Sequence, residues 1–267
     1  MRNHDMCEPT VLCEVKESIG YLTLNRPEAM NSFTKRTVDD LVAVLSRCKE
    51  DDNCRAVIVT GCGDKSFSAG SDLTTFLEEA AKPLGGREWS RYGQAAFNHF
   101  DRLGKPSVAA INGVAMGGGL ELALACTFRI ASQKAKMGFT EIALGFLPGW
   151  GGHSRLTKLI GKAKAAELVL TGDLIGAEQA LAMGVVNRVV APEELVPASV
   201  ALLARIIRHS PIAVKVVLEA LHNAQYQSLE DSLILESNLG GLACASEDAK
   251  EGLKAFQEKR KPIFKGR

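Results

Sequence analysis

The spacing of hydrophobic and polar positions changes twice along the chain. Leu12 to Lys16 and Ile19 to Leu24 read as two strands around a short turn containing Gly20, which predicts a β-hairpin. Asn25-Arg26-Pro27 then interrupts the strand, because proline cannot donate to a ladder. Val38, Leu41, Val42, Leu45 and Cys48 recur at helical spacing, with Thr34 placed to cap the helix start. Arg55 to Thr60 is a β-branched run bounded by Gly61 and Gly63, and it predicts a buried strand. A polar helical stretch lies around Trp89 to Leu103. Ser107 to Ile111, entered through Pro106, predicts a second buried strand.

Beyond residue 200 only helical patterns remain. Val200, Leu203, Ala204 and Ile207 form one apolar face, and Val214, Val217, Leu218 and Leu221 form another. Ser228 with Asp231, and Ser246 with Glu247 and Asp248, mark two helix starts. Strands alternating with helices predict an α/β body with βα crossovers. The expected division is a core over residues 1–200 and a helical region over residues 201–267. Such a helical appendage packs on a neighbouring copy or covers an open face of the body.

Composition narrows the function. Hydrophobic residues make up 46% of 267, and the net charge is only +1, so disorder is excluded. A chain of this length buries a large core without staples. Balanced charge gives no global field for a polyanion, so no nucleic-acid partner is expected. The most apolar stretch, Val108 to Cys126, contains Asn112, Glu121 and four glycines, which argues against a membrane span. Seven cysteines occur with no Cys-x-x-Cys pair, and no His/Cys cluster has zinc-ligand spacing. Free thiols, a start (MRNHDMC) without an apolar signal core and the absence of a span lead to a cytoplasmic expectation, with no bound metal.

Two small-residue turns carry the candidate chemistry. Phe67-Ser68-Ala69-Gly70-Ser71-Asp72 follows the Arg55 strand, and Ala115-Met116-Gly117-Gly118-Gly119-Leu120-Glu121 follows the Ser107 strand. Each leads toward a helix, where backbone N–H groups are left without intrahelical partners. Side by side, two such turns can aim two N–H donors at one oxygen. The glycine triplet alone equally fits a tight, closely packed turn. Neither phosphate-loop spacing occurs, and there is no G-x-S-x-G elbow.

Glu121 interrupts an otherwise apolar helix, and Glu141 follows the apolar Met137-Gly138-Phe139-Thr140. Burial raises the pKa of such carboxyls and suits them to proton transfer, although Glu141 also fits a helix-start acid. Leu147-Pro148-Gly149-Trp150-Gly151-Gly152-His153 is a backbone-shaped loop leading into a helix. His153 reads as an exposed or capping histidine. His4, His99, His209 and His222 are scattered and read as surface residues.

Taken together, these segments resemble the crotonase superfamily, the enoyl-CoA hydratase/isomerase family. They are LNRPEAMNSF (Leu24 to Phe33), FSAGSDL (Phe67 to Leu73), KPSVAAINGVAMGGGLELALACTFRIAS (Lys105 to Ser132), FTEIALGFLPGWGGHSRL (Phe139 to Leu156), LTGDLIGAEQALAMGVVNRVV (Leu170 to Val190) and AFQEKRKPIF (Ala255 to Phe264). They stand in family order and cover nearly the whole chain from about Leu12. The resemblance implies a crotonase-like spiral of ββα units with a C-terminal helical trimerisation region. It implies a homotrimer or homohexamer acting on an acyl-CoA thioester.

The resemblance also implies roles for single residues. The oxyanion donors map to the backbone of Ser71 and Gly118. The two glutamates of family hydratases map to Glu121 and Glu141, with Glu121 expected to activate water and Glu141 to protonate the α-carbon. Substrate contacts map to Arg26, Ala69, Asp72, Leu73, Gly117, Gly149, Trp150, Phe256 and Lys259. Arg26 lies in a segment that contacts coenzyme A phosphates in relatives, although Glu28 stands where many have lysine. Lys259 opens a tail with five basic residues and matches a position that can reach a neighbouring subunit's coenzyme A. Trp150 is bulkier than the usual residue and is expected to narrow or cap the acyl pocket, with Phe146 adding bulk nearby.

The expected reaction is reversible hydration of a trans-2-enoyl-CoA to a 3-hydroxyacyl-CoA. It needs no metal or redox cofactor, since coenzyme A is part of the substrate. The alternatives are Δ3,Δ2-enoyl-CoA isomerisation, another thioester activity such as decarboxylation or hydrolysis, and a non-catalytic or RNA-binding relative.

Overall fold

The computed structural model describes residues 9–267, so His4 and Cys7 lie outside the described residues. The chain opens with the expected hairpin, β1 (Val11–Lys16) antiparallel to β2 (Ile19–Leu24). Helix α1 (Lys35–Glu50) follows, its first turn capped by the Thr34 side chain accepting from the Thr37 N–H. It buries Val38, Leu41, Val44, Leu45 and Cys48 on one face.

The body then repeats one unit: a longer strand, a short strand, a helix. The first turn is β3 (Ala56–Gly61), β4 (Ser66–Ser68), α2 (Leu73–Ala80) and α3 (Gly85–Asp101). The second is β5 (Ser107–Ile111), β6 (Val114–Met116) and α4 (Gly118–Ala125). The third is β7 (Phe128–Ser132), β8 (Lys136–Gly138), a 3-10 turn Glu141–Leu144, α5 (Gly152–Ile160) and α6 (Lys162–Thr171). Then come β9 (Ile175–Gly176), α7 (Ala177–Met183) and β10 (Arg188–Val190).

Each turn gives one strand to each of two sheets. The larger sheet has the order β1-β2-β3-β5-β7-β10 and is parallel except at the hairpin. The smaller has the order β4-β6-β8-β9. Stacking the turns aligns the strand-to-helix junctions, so the loop after β4 comes beside the loop after β6. Glycines are used where those layers touch. A Cβ at Gly119 would overlap the Ser68 carbonyl, and one at Gly113 would overlap that of Lys65.

The core lies between the sheets and the inner helices. It is built from Leu22, Phe33, Phe67, Phe97, Ile111, Leu120 and Phe139 among others. Helix α4 is buried along its whole length, which explains its near-absence of polar residues. On the outer face of the larger sheet, α8 (Leu195–Ile207) covers Ile19, Ile58, Val108 and Ile130. This helix spans the expected division at residue 200. The helices α9 (Pro211–Asn223), α10 (Leu229–Ala245) and α11 (Glu247–Gln257) complete the chain. Ser228 and Ser246 cap α10 and α11. Buried Asp248 holds the C-terminal tail through the N–H groups of Lys265 and Gly266.

Among the described residues no helix is long and apolar enough to cross a membrane, and no group of side chains is suited to hold a metal ion. The six described cysteines are free thiols, the sulfurs of Cys13 and Cys48 approaching to 3.7 Å.

Candidate active site

The loop Ala69 to Asp72 is fixed by its neighbours. Phe33 donates its N–H to the Gly70 carbonyl at 2.8 Å and accepts from the Asp72 N–H at 3.0 Å. This bridge engages the groups on either side of Ser71 and not the Ser71 N–H. Ala69 donates to the Met30 carbonyl, and Gly70 donates to the Ser68 hydroxyl. Gly70 has φ +87°, a left-handed conformation that a side chain resists. A Cβ there would lie 2.8 Å from the Met116 carbonyl oxygen and 2.9 Å from the Gly118 nitrogen. The two expected donor loops therefore meet backbone to backbone at Gly70 and Gly118.

Gly118 opens α4, so its N–H falls in the first turn, where no intrahelical carbonyl reaches it. Gly117, with φ 48° and ψ −121°, makes the bend into the helix. Its N–H is held by the Gly138 carbonyl at 3.0 Å. The Glu141 carboxyl lies directly over Gly117, where a Cβ would overlap its Oε1.

Glu121 is one helical turn beyond Gly118 and is 2% exposed. Its Oε1 accepts from the N–H groups of Trp150 and Gly152, both at 2.7 Å. Burial pushes its pKa up to about 8; the N–H donors pull against this, and the Glu141 charge adds to it. Glu141 sits at the start of the 3-10 turn, and burial raises its pKa too. Its Oε2 is buried without a hydrogen-bond partner. A carboxyl oxygen placed so favours the neutral, proton-carrying form. The fold thus brings together Ser71, Gly117, Gly118, Glu121 and Glu141, from three consecutive turns of the spiral.

The other expected contacts divide into groups. Leu73 is exposed at the start of α2, and Phe76 on the same helix stacks edge-on against Phe146 at 4.9 Å, on the approach to the site. Asp72 caps α2 through the Thr75 N–H and pairs with Arg26 at 3.3 Å. Burial alone would raise the Asp72 pKa, but the donors from Thr75, Arg26 and Ser32 outweigh it and lower it. Arg26 also donates to the Ser32 carbonyl, so its guanidinium is engaged in holding the loop. The Gly149 carbonyl accepts from Gln94 at 2.7 Å.

Trp150 is 3% exposed, and its ring is packed among Phe33, Trp89 and Phe97 and against the start of α4 at Gly118. His153 is exposed, and a ring nitrogen meets the Pro148 carbonyl, in keeping with its reading as a loop histidine. Phe256 and Lys259 are not brought to the two glutamates within one chain. Phe256 projects into solvent at 85% exposure from α11, which packs on α10.

Sequence reasoning missed several contributors. Trp89 donates its indole N–H to the Ser71 hydroxyl at 3.2 Å. Asn31 is buried and holds the carbonyls of Cys62 and Ser66. Arg155 grips the Trp150 carbonyl and pairs with Asp101 at 2.8 Å. The available signal for Trp89 was its place, with Gly93 and Phe97, on one face of a polar helix.

Two turns presenting backbone N–H groups, two neighbouring carboxyls with raised pKa values and a ββα spiral define a crotonase-type thioester site. Residues 14–267 match the family model described as enoyl-CoA hydratase/isomerase, and the chain belongs to that family. It is 38% identical over 259 residues to a crotonyl-CoA hydratase of Syntrophomonas wolfei, covering 97% of this chain and 99% of the relative. It is 37% identical over 251 residues to a short-chain-enoyl-CoA hydratase of Clostridium acetobutylicum, covering 94% and 95%. The crystal structure of an enoyl-CoA hydratase from Bacillus anthracis superposes with a TM-score of 0.91 at 36% identity, covering 97% of this chain and all of that one.

Proposed function

We propose that the protein adds water reversibly to trans-2-enoyl-CoA thioesters, giving 3-hydroxyacyl-CoA. The observation that carries this reading is the pair of carboxyls, buried Glu121 and half-buried Glu141 with its shielded Oε2, beside the junction of Gly70 and Gly118. Water is a weak nucleophile, so a carboxylate must take its proton as oxygen attacks the β-carbon. In this reading the two carboxyls share one proton, and Glu121 is the base in the form that carries that proton on Glu141. The Glu121 Oε1 is anchored by two N–H groups, which leaves Oε2 to receive the proton. Glu141 carries the proton delivered to the α-carbon. Charge on the thioester oxygen meets the N–H groups of Ser71 and Gly118, each such donor contributing about 3 kcal/mol to the barrier reduction. The pair works in its singly protonated form, so kcat/KM is expected to be bell-shaped in pH.

Ala69, Leu73, Gly117 and Gly149 are assigned to the acyl and thioester walls. Arg26 and Lys259 are assigned to coenzyme A, Lys259 from a neighbouring subunit. The reading calls on no metal or redox cofactor. It places the reaction in the cytoplasm.

Incubation with crotonyl-CoA tests the function. Loss of the conjugated absorbance with a mass gain of one water supports hydration. Product of unchanged mass from a 3-enoyl-CoA, with no hydration, indicates isomerisation instead.

The apolar faces left outward support assembly in this reading. Leu229, Leu233, Ile234 and Leu242 on α10 and Phe256 on α11 are all exposed in the single chain. Such area is covered in stable soluble proteins. A homotrimer or its dimer is therefore expected, and light scattering after gel filtration checks it; a monomer rejects it.

A further inference from the structure

The only two tryptophans of the chain, Trp89 and Trp150, touch each other behind the site, with ring centroids 5.3 Å apart. Phe33 and Phe97 close the cluster around Trp150, with ring centroids 5.8 and 5.3 Å from its own and 5.7 Å from each other. Both indoles are buried, and neither carries chemistry in the proposed reaction. Hydrophobic filling alone explains their burial. It does not explain where they are anchored.

Four anchors lead from this cluster to the reacting groups. The Trp150 backbone donates to Glu121 Oε1 at 2.7 Å. The Trp150 ring lies against Gly118, where a Cβ would stand 3.2 Å from Cε3. Trp89 donates its indole N–H to the Ser71 hydroxyl at 3.2 Å. The Phe33 backbone brackets Ser71 through Gly70 and Asp72. The opposite side of Trp150 is equally confined. A Cβ on Gly93 of α3 would overlap the indole, so the ring is gripped between glycines of two helices. Arg155 fixes the Trp150 carbonyl and is itself tied to Asn98 and Asp101 of α3.

We propose that Trp89 and Trp150 are positioning residues that set the separation of the Ser71 and Gly118 N–H groups and lock Glu121 to the same frame. The inference rests on the hydratase reading of the site. Its physical basis is preorganisation: two donors help a developing oxyanion only if neither must move to reach it. An interlocked aromatic cluster resists such movement because close-packed rings have no room to slide. Helix α3 thereby becomes part of the site without contacting substrate.

The test separates this inference from the reading beneath it. Trp89→Phe keeps the ring and removes the indole donor; Ser71→Ala removes the acceptor and keeps the backbone N–H. Each is expected to lower kcat for crotonyl-CoA about tenfold, with KM within about twofold, because only donor alignment is lost. The double variant is expected to fall no further than either single one, since both delete one bond. Trp150→Phe, which keeps the N–H to Glu121, is expected to show the same kcat-against-KM split.

Binding supplies a readout independent of turnover. The preference for butyryl-CoA over its S-butyl thioether, which lacks the carbonyl, is measured by calorimetry for the wild type and Trp89→Phe. The preference is expected to shrink about threefold while thioether affinity stays constant. Wild-type hydration with unchanged kcat and unchanged preference in Trp89→Phe overturns the positioning role. Multiplicative losses in the double variant overturn it also. Absence of wild-type hydration, with the preference present and weakened in the variant, overturns the hydratase reading and leaves the positioning role standing.

Discussion

Glu121→Gln is expected to slow hydration of crotonyl-CoA by about 10³-fold, the scale of a lost proton-transfer group, and at the same time to stabilise the fold above neutral pH. The glutamine oxygen accepts the same N–H groups of Trp150 and Gly152. What disappears is a titratable group whose folded pKa stands near 8 against an ordinary 4.5. A carboxyl raised in this way favours the folded state fully below pH 4.5 and loses that contribution as pH rises to about 8. Beyond that the fold carries a buried charge, which glutamine does not. The stability difference between variant and wild type is therefore expected to widen from pH 5 to pH 9. At the upper end it reaches on the order of 4 kcal/mol, or roughly 10 °C in Tm. Thermal melts across that range check it, and a difference independent of pH would show that Glu121 is not strained by burial. Glu141→Gln is expected to lose activity on the same scale, since its buried Oε2 has no partner to supply the proton in its place.

The opposed effects on stability and activity at one residue show why this position was legible in the sequence. An acid inside an apolar helix contradicts local pattern, and such contradictions mark functional sites. The longer elements were legible for the opposite reason. The hairpin, α1 and the strands at Ala56 and Ser107 each run long enough for a period to show. The second sheet was not visible. Its strands β4, β6, β8 and β9 are two or three residues long, and no period can be read from so few positions. They are placed by the stacking of the spiral, not by local preference.

Trp150 shows a different limit. Its size suggested a wall of the acyl pocket, but size says nothing about direction. The space that takes the ring is left by Gly93, far earlier in the chain, in a helix read as merely polar. Similarly, the sequence placed Arg26 and Asp72 in matching segments without revealing that they pair with each other. Long-range pairing of this kind belongs to the topology and leaves no trace at either residue alone.

Gly70→Ala is expected to reduce kcat by about 10²- to 10³-fold, comparable to removing an oxyanion donor outright. Two costs coincide at this position. The φ of +87° is unfavourable for alanine. The added methyl would also press on the Met116 carbonyl oxygen at 2.8 Å and the Gly118 nitrogen at 2.9 Å. Both neighbours are backbone, so no side-chain rotation relieves the contact. Relief requires the loop after β4 to move away from the start of α4, which separates Ser71 from Gly118. Glu121 belongs to α4 and keeps its anchors at Trp150 and Gly152, so the proton-transfer group stays in place while the oxyanion site opens. The expected signature is a fall in kcat that leaves the bell-shaped pH profile intact, with Tm lowered by several degrees. Steady-state rates across pH, beside thermal melts, check this. A profile that changes shape would mean that the strain reaches the glutamates, and normal kcat would mean that the two loops do not form one oxyanion site.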